Sequence, residues 1–179
     1  DGSASEPEKR QLENMLFQYG RYLTIASSRE DSQLPSNLQG VWNSLTNPPW
    51  SSDYHMNVNL QMNYWPTYST NMAECAQPLI SYVDSLREPG RVTAKIYAGV
   101  DQGFMAHTQN NPFGWTCPGW SFDWGWSPAA VPWILQNCWE YYEFTGDVSY
   151  MQNYIYPMMK EEAIFYDNIL IDDGTGHLV

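Results

Sequence analysis

The residues best suited to chemistry lie in a short polar row that ends at Asn59. Polar and apolar residues alternate there, in the order Asp53, Tyr54, His55, Met56, Asn57, Val58, Asn59. In an extended chain, alternate side chains point the same way, so the pattern predicts a carboxylate, an imidazole and two amides on one face. An amide both donates and accepts hydrogen bonds, which suits vicinal hydroxyl groups. The alternative is that the amides only satisfy backbone groups in turns.

A second polar stretch precedes a cluster of tryptophans. It reads His107-Thr108-Gln109-Asn110-Asn111 and is followed by Trp115, Trp120, Trp124 and Trp126. Indole rings match the apolar C–H faces of a sugar, and amides and imidazole match its hydroxyl edges. We therefore expect one or two of these tryptophans at a carbohydrate site, with the others in structural roles.

The charge balance excludes some classes of partner. The 179 residues carry a net charge of −12 and only eight Lys and Arg. Binding to a phosphate backbone needs such cations, so we predict no nucleic-acid partner. No apolar run reaches the ~18 residues of a membrane span, and an acidic surface repels anionic lipids, so we predict no membrane partner. The negative net charge is equally consistent with a role in keeping the protein soluble.

Sequence signatures of metal and cofactor sites are missing. There is no phosphate-cradling glycine loop, no GxSxG and no HExxH. The histidines at positions 55, 107 and 177 lack metal-ligand spacing, and no pair of cysteines forms a CxxC motif. We predict no metal and no cofactor. The first residues lack the hydrophobic segment of a signal peptide.

Hydrophobic spacing predicts a chain of helices. The first, over residues 7–26, carries a stripe expected to face a core: Leu12, Met15, Leu16, Tyr19, Leu23 and Ala26. The other predicted helices run from about Leu60, over 73–86 and 90–97, from Pro132 to a stop at Gly146, a short one capped by Asp147, and from Pro157 with Met159, Ala163, Tyr166 and Leu170 on one face. Residues 27–58 and 103–126 are predicted loops, with a short strand at 104–107.

This pattern predicts an all-α fold. Helix pairs joined by long aromatic loops suit an α/α toroid, in which the loops build a site at one mouth. A plain helical bundle is the alternative. Residues 1–9 are interpreted as a linker or disordered, and residues 10–179 as one unit.

Four stretches together resemble glycoside hydrolase family 95. They are 19–29, 34–43, 47–65 and 139–147. The resemblance covers about residues 10–179 and implies an (α/α)6 toroid flanked by β-rich domains. About six helices fit in this chain, so it is expected to form roughly the first half of the barrel, the N-terminal part of the catalytic domain. The remainder of that domain is then a partner of this chain.

The resemblance also implies an activity and roles for residues. It implies inverting hydrolysis of terminal α-1,2-linked L-fucose from a fucosylated glycan, outside the cell or in a bacterial periplasm. Asn59 occupies the position that activates water, assisted by Asn57, and His55 matches a sugar-binding histidine. The general acid Glu and the Asp that polarises the amide are expected beyond residue 179, so the isolated chain is expected to be inactive.

One segment departs from the family pattern. Many members read His-His-Asn-Thr-Asp where this chain has residues 107–111, so an amide replaces a carboxylate. We still expect His107, Gln109 and Trp124 near the terminal sugar. The departure leaves open an α-L-galactosidase on the same scaffold. The sequence is also compatible with a non-catalytic carbohydrate-binding protein and with a helical interaction module.

Overall fold

The protein is mostly helical, which confirms the all-α prediction. A computed structural model describes residues 5–179. The helices are α1 (Glu6–Ser27), α2 (Asn59–Ser69), α3 (Gln77–Ser85), α4 (Arg87–Ala98), α5 (Phe122–Gly125), α6 (Ala130–Thr145), α7 (Val148–Tyr150) and α8 (Tyr156–Ile169), with 3-10 turns at Pro49–Ser52 and Ala73–Ala76 and a π turn at Met151–Ile155. Two short strands, β1 (Tyr54–His55) and β2 (Gln109–Asn110), pair antiparallel. None of the helices in residues 5–179 is long and apolar enough to cross a bilayer.

Helix α6 lies at the centre of the core and packs against α2, α3 and α8. It begins at Ala130, two residues before the predicted start. Pro132 is tolerated because the first four N–H groups of a helix have no intrahelical partner, so the proline removes no hydrogen bond. The predicted end is confirmed, since Gly146 adopts a left-handed conformation (φ 68°) that glycine reaches without strain.

Helix α1 forms as predicted, but its apolar stripe does not face a core. Leu12, Met15 and Leu16 are 60–70% exposed, and α1 is anchored only near its C-terminal end. There the Ser28 hydroxyl donates to the Cys75 carbonyl (2.8 Å). Residues 6–9, interpreted from sequence as linker, form the first turn of α1, and residues 1–4 lie outside the described part of the chain. The prediction of a helix is therefore confirmed, but no element within residues 5–179 covers the apolar stripe of α1.

The buried face of α8 is displaced by one residue from the predicted face. Met158, Glu162 and Phe165 are buried, whereas Ala163 is exposed. Glutamate is almost never fully buried, so the sequence argued against the face that contains Glu162. Hydrophobic spacing alone therefore predicted the neighbouring face, which contains Met159 and Ala163.

The predicted strand at 104–107 is wrong, because this segment bonds to a helix instead. The Met105 N–H donates to the Gly90 carbonyl of α4 (3.1 Å), and a Cβ on Gly90 would lie only 3.0 Å from the Met105 oxygen. The strand forms two residues later, where Gln109 pairs with His55 and Asn110 pairs with Tyr54. This pairing brings the two polar stretches together.

The segment of residues 103–128, which carries four of the nine tryptophans, is held at both ends by α8. A Cβ on Gly103 would clash with the Phe165 backbone, and the Tyr166 hydroxyl donates to the Pro128 carbonyl (2.9 Å). We call residues 103–128 the aromatic segment.

Candidate functional site

The polar row is extended over only two residues, which divides it into a buried and an exposed half. Asp53 and His55 are buried, at 9% and 5% exposure. Residues 56–58 form a turn; Asn57 is exposed within it and Asn59 is exposed directly after it. The expectation that all four side chains share one face is therefore wrong, because the turn redirects the chain before α2.

The turn that presents Asn57 and Asn59 is held by neighbouring groups. The Met56 N–H donates to the Thr108 carbonyl (2.7 Å), and the Gln61 side-chain amide donates to the Met56 carbonyl (2.8 Å). Asn59 is the first residue of α2. Within residues 5–179 the side chains of Asn57 and Asn59 make no hydrogen bond. The alternative in which these amides satisfy turn backbone is therefore not what the structure contains.

His55 is oriented by a carboxylate and faces indole rings. Its Nδ1 lies 2.6 Å from Asp53 Oδ1, although the contact lacks hydrogen-bond geometry and neither atom has a hydrogen-bond partner in the described chain. The ring meets Trp124 edge-on, with ring centroids 5.4 Å apart, and Trp50 in the same way at 6.0 Å. The carboxylate and the two indole rings together confine the imidazole.

Three tryptophans stack beside His55. Trp50, Trp120 and Trp124 have mutual centroid distances of 6.0–6.3 Å and interplanar angles of 13–18°. Each indole remains more than 40% exposed. Such offset, nearly parallel packing suits aromatic quadrupoles. The stack therefore presents a broad, semi-rigid aromatic surface next to the imidazole.

A left-handed turn positions Trp50 in this stack. Trp50, Ser51 and Ser52 have φ values of 54°, 58° and 50°. For residues other than glycine, this conformation costs roughly 1–2 kcal/mol each. The Ser52 hydroxyl donates to Gln39 Oε1 (2.7 Å), which ties the turn to a neighbouring loop. Strain of this kind persists only where surrounding contacts hold it.

Replacing Ser51 by glycine should stabilise the protein by about 1 kcal/mol, since glycine adopts positive φ without the clash of a Cβ. The free energy of unfolding in urea measures this. Ser149→Gly, at an exposed position of α7, is the matched control and should destabilise by about 0.5 kcal/mol. Equal destabilisation by both changes would contradict a strained turn at Ser51.

A cavity of about 480 Å³ lies on the other side of Asp53. The residues that matter in its lining are Asp53, Gln109, Asn110, Phe113, Trp115 and Trp120. Gln109 Oε1 accepts the Trp120 N–H (2.8 Å). A side chain at Gly119 would collide with that oxygen, so glycine permits the loop to close on Gln109. Asp53 and Trp120 belong to both the cavity and the His55 surroundings.

His107 is fully buried behind Trp126. Its Nδ1 accepts the Ser127 N–H (3.1 Å), and its ring centroid lies 4.6 Å from that of Trp126. Burial lowers the pKa of His107 to about 4, so the imidazole is neutral near pH 7. No surface remains for direct contact with a sugar, and the structure does not support that predicted contact.

Comparisons with known proteins agree with one another. Residues 2–179 match the glycosyl hydrolase family 95 catalytic domain. The chain belongs to glycoside hydrolase family 95. It is 38% identical to a protein named probable alpha-fucosidase A from Aspergillus niger, over 96% of this chain and 22% of that protein. It is 38% identical to alpha-L-fucosidase 2 from Arabidopsis thaliana, over 93% of this chain and 20% of that protein.

This family 95 chain therefore spans about a fifth of the length of these curated relatives. Within residues 5–179, no three His, Cys, Asp or Glu side chains are grouped so that they could hold a metal. The chemical groups available on this part of the family 95 domain are two exposed amides, an oriented imidazole and an aromatic surface. Amides and an imidazole can form hydrogen bonds with hydroxyl groups and water, and indole rings can pack on apolar C–H faces.

Sequence reasoning missed Trp50 of the tryptophan stack, and it named Trp120 as a candidate but selected only Trp124. Trp120 and Trp124 are four residues apart across the start of α5, whose N-cap Ser121 accepts the Trp124 N–H (3.3 Å). Trp120 precedes the N-cap, so the helical i, i+4 spacing rule does not apply to the pair. No sequence signal indicates Trp50, because three left-handed residues that are not glycine are intrinsically unfavourable.

Proposed function

We propose that the full-length protein hydrolyses terminal α-L-fucosides. The observation that supports this most is the pair of exposed, unbonded amides of Asn57 and Asn59 one turn after the oriented His55. Amides free of backbone partners can hold a water and a sugar hydroxyl. The relatives named as fucosidases support the same reaction class.

In the proposed mechanism, Asn59 holds the attacking water and Asn57 assists, while His55 and Trp124 bind the terminal sugar. Inverting glycosidases usually place a carboxylic acid and a carboxylate base ~6.5–9.5 Å apart around a water. An amide is a poor base alone, so Asn59 needs an Asp from beyond residue 179 to polarise it. The general acid, a Glu, is also proposed to lie beyond residue 179. Consequently the 179-residue chain alone is inactive.

We propose that the remainder of the catalytic domain covers α1. The stripe of α1 is exposed over several turns, with Leu16 at 70%. Single exposed apolar residues are normal, but a contiguous apolar stripe marks an interaction surface. The half-toroid interpretation predicts such an uncovered face.

We also propose that the protein acts outside the cell or in a bacterial periplasm.

Purified full-length protein should hydrolyse p-nitrophenyl α-L-fucoside with a higher kcat/KM than p-nitrophenyl α-L-galactoside. The two sugars share a configuration and differ by one hydroxyl at C6, so the ratio of kcat/KM separates fucosidase from galactosidase. Release of p-nitrophenol measures both rates.

The anomer of the first-released sugar, followed by NMR with 2'-fucosyllactose as substrate, tests inversion and the 1,2 linkage. The 179-residue chain is the matched control and should release nothing. Turnover by that chain, or retention of the α configuration in the product, would contradict the proposed mechanism. Absence of any hydrolysis by the full-length protein would favour a carbohydrate-binding protein.

A further inference from the structure

Helix α2 begins directly after the turn of residues 56–58 with a residue that cannot cap it. The N-cap residue is Val58, whose side chain has no hydrogen-bonding group. Helices usually begin with Ser, Thr, Asp or Asn, whose side-chain oxygen accepts an N–H of the first turn. The start of α2, which includes Asn59, is therefore held by groups other than a cap.

Gln61 holds this turn from inside the helix. It is the third residue of α2 and is 0% exposed. In a capping box, a glutamine at this position accepts the N-cap N–H with its side-chain oxygen. Gln61 uses its other end, because its Nε2 donates to the carbonyl of Met56 (2.8 Å), the residue before Asn57. The contact needs a donor, which neither a carboxylate nor an apolar side chain can supply.

Gln61 is itself fixed to the core through helix α6. The Asn137 side-chain amide donates to the backbone carbonyl of Gln61 (3.2 Å), and the Tyr68 hydroxyl donates to the carbonyl of Asn137 (2.5 Å). Asn137 and Tyr68 are 2% and 4% exposed. Burial raises the pKa of Tyr68, so its hydroxyl stays protonated near neutral pH. The turn is thus connected to the packing of α2 on α6.

The other end of the Gln61 amide is not used within the described residues. Its Oε1 is buried and has no hydrogen-bond partner there, and an unpaired buried acceptor is costly. An apolar side chain of the same length would fill the position without that cost. The donor to Met56 is therefore what the amide contributes at this position.

We propose that Gln61 is a positioning residue for hydrolysis of the fucoside. By fixing the Met56 carbonyl, it holds the turn that presents the amides of Asn57 and Asn59 in a single arrangement. This inference depends on the proposed function, in which those amides hold water and the sugar. Displacement of a reacting group by about 1 Å can reduce a rate ~10²-fold, so the donor is expected to affect kcat.

Replacing Gln61 by methionine in the full-length protein keeps the length of the side chain and removes the donor. With p-nitrophenyl α-L-fucoside, kcat should fall about a hundredfold. KM should stay within about threefold, because His55 and Trp124 lie on β1 and α5, outside the turn. Gln77→Met is the matched control, since the Gln77 amide donates to the Tyr141 hydroxyl (3.3 Å), and its kcat should stay within about twofold. Thermal unfolding verifies that both variants are folded.

Replacing Gln61 by glutamate tests the donor itself. A protonated carboxyl group can donate to the Met56 carbonyl and a carboxylate cannot, while burial raises a carboxyl pKa. The kcat of Gln61→Glu relative to wild type should be within about threefold at pH 5 and should fall at least tenfold further by pH 9. The same ratio for Gln61→Met should not change with pH. A ratio for Gln61→Glu that is equally flat would contradict the role of Gln61 as a donor.

Hydrogen exchange of residues 56–62 in the full-length protein, followed by mass spectrometry, provides a readout independent of hydrolysis. The Met56 N–H donates to the Thr108 carbonyl and the Met62 N–H to the Val58 carbonyl. Exchange should be about tenfold faster in Gln61→Met and unchanged in Gln77→Met. Wild-type kcat or wild-type exchange in folded Gln61→Met would overturn the proposal. Faster exchange in Gln61→Met, with no hydrolysis by the wild type, would contradict the proposed function and leave Gln61 as the residue that holds the turn.

Discussion

Replacing Asn59 by alanine should lower kcat of the full-length protein about a thousandfold, within the ~10²–10⁴ range for loss of a group that activates a nucleophile. The amide is exposed and unbonded, so the change removes no packing and KM should change little. Initial rates with p-nitrophenyl α-L-fucoside measure the effect, and thermal unfolding verifies that the variant is folded.

Asn63 offers a matched control on the same helix. Its Nδ2 donates to the carbonyls of Ser36 and Asn37 at 3.4 and 3.2 Å, so its role in the structure is to fix a loop. Asn63→Ala should reduce stability by about 1 kcal/mol and leave kcat within a few-fold of wild type. If Asn59→Ala and Asn63→Ala behaved alike, Asn59 would have no special part in the reaction.

Replacing Glu162 by glutamine should stabilise the protein at pH 7 by about 3 kcal/mol. Glu162 is 3% exposed, and neither carboxyl oxygen has a partner among the described residues. Burial, with a smaller contribution from the neighbouring Glu161, raises the pKa of Glu162 from 4.5 to about 9. The folded protein must therefore hold a proton that the unfolded chain releases, at about 1.4 kcal/mol per pH unit.

The sign of the pH dependence follows from that raised pKa. The contribution of Glu162 to stability is complete below about pH 4.5 and is lost progressively as pH rises towards 9. Glutamine is neutral throughout, so the difference between variant and wild type should grow from pH 5 to pH 9. Urea unfolding at pH 5, 7 and 9 measures it, and parallel pH profiles would show that Glu162 is not buried as a carboxylic acid.

Glu161, the adjacent residue, provides a control of opposite sign. Burial alone would raise its pKa, but hydrogen bonds from Arg91 and Arg87 lower the pKa below the ordinary value. Its contribution is therefore present above about pH 4.5 and lost as pH falls. Glu161→Gln should destabilise the protein at pH 7 and much less at pH 3, whereas Glu162→Gln should stabilise it.

Local signals in the sequence predicted the local features of the fold. The α6 spacing, the Gly146 stop and the Asp147 cap were all predicted, and Asp147 Oδ1 accepts the Tyr150 N–H (2.8 Å). Each depends on residues within one or two turns of each other. Helix α1 was predicted for the same reason. Helical spacing, however, carries no information about which surface covers the apolar stripe of that helix.

Features that join distant parts of the chain were not predictable. Strand β1 pairs with β2 across more than fifty residues, and each strand is too short for a period-2 pattern. The buried face of α8 was predicted one residue away from its true position, because a carboxyl group such as that of Glu162 disfavours burial. For the candidate site, the sequence proposed both His55 and Trp124 as sugar-binding residues, and their ring centroids lie 5.4 Å apart. The full burial of His107 depends on long-range packing.

The attachment of the aromatic segment has a consequence for protein engineering. Gly103 rests on the Phe165 backbone and Pro128 accepts from Tyr166, so entry and exit lie on a single helical scaffold. Exposed residues between these two anchors, such as those at 120–124, can be varied. Phe104 and Ala106 belong to the hydrophobic core and have to be kept. Libraries that vary these exposed positions and preserve both attachment points would change the aromatic surface without rebuilding the helical core.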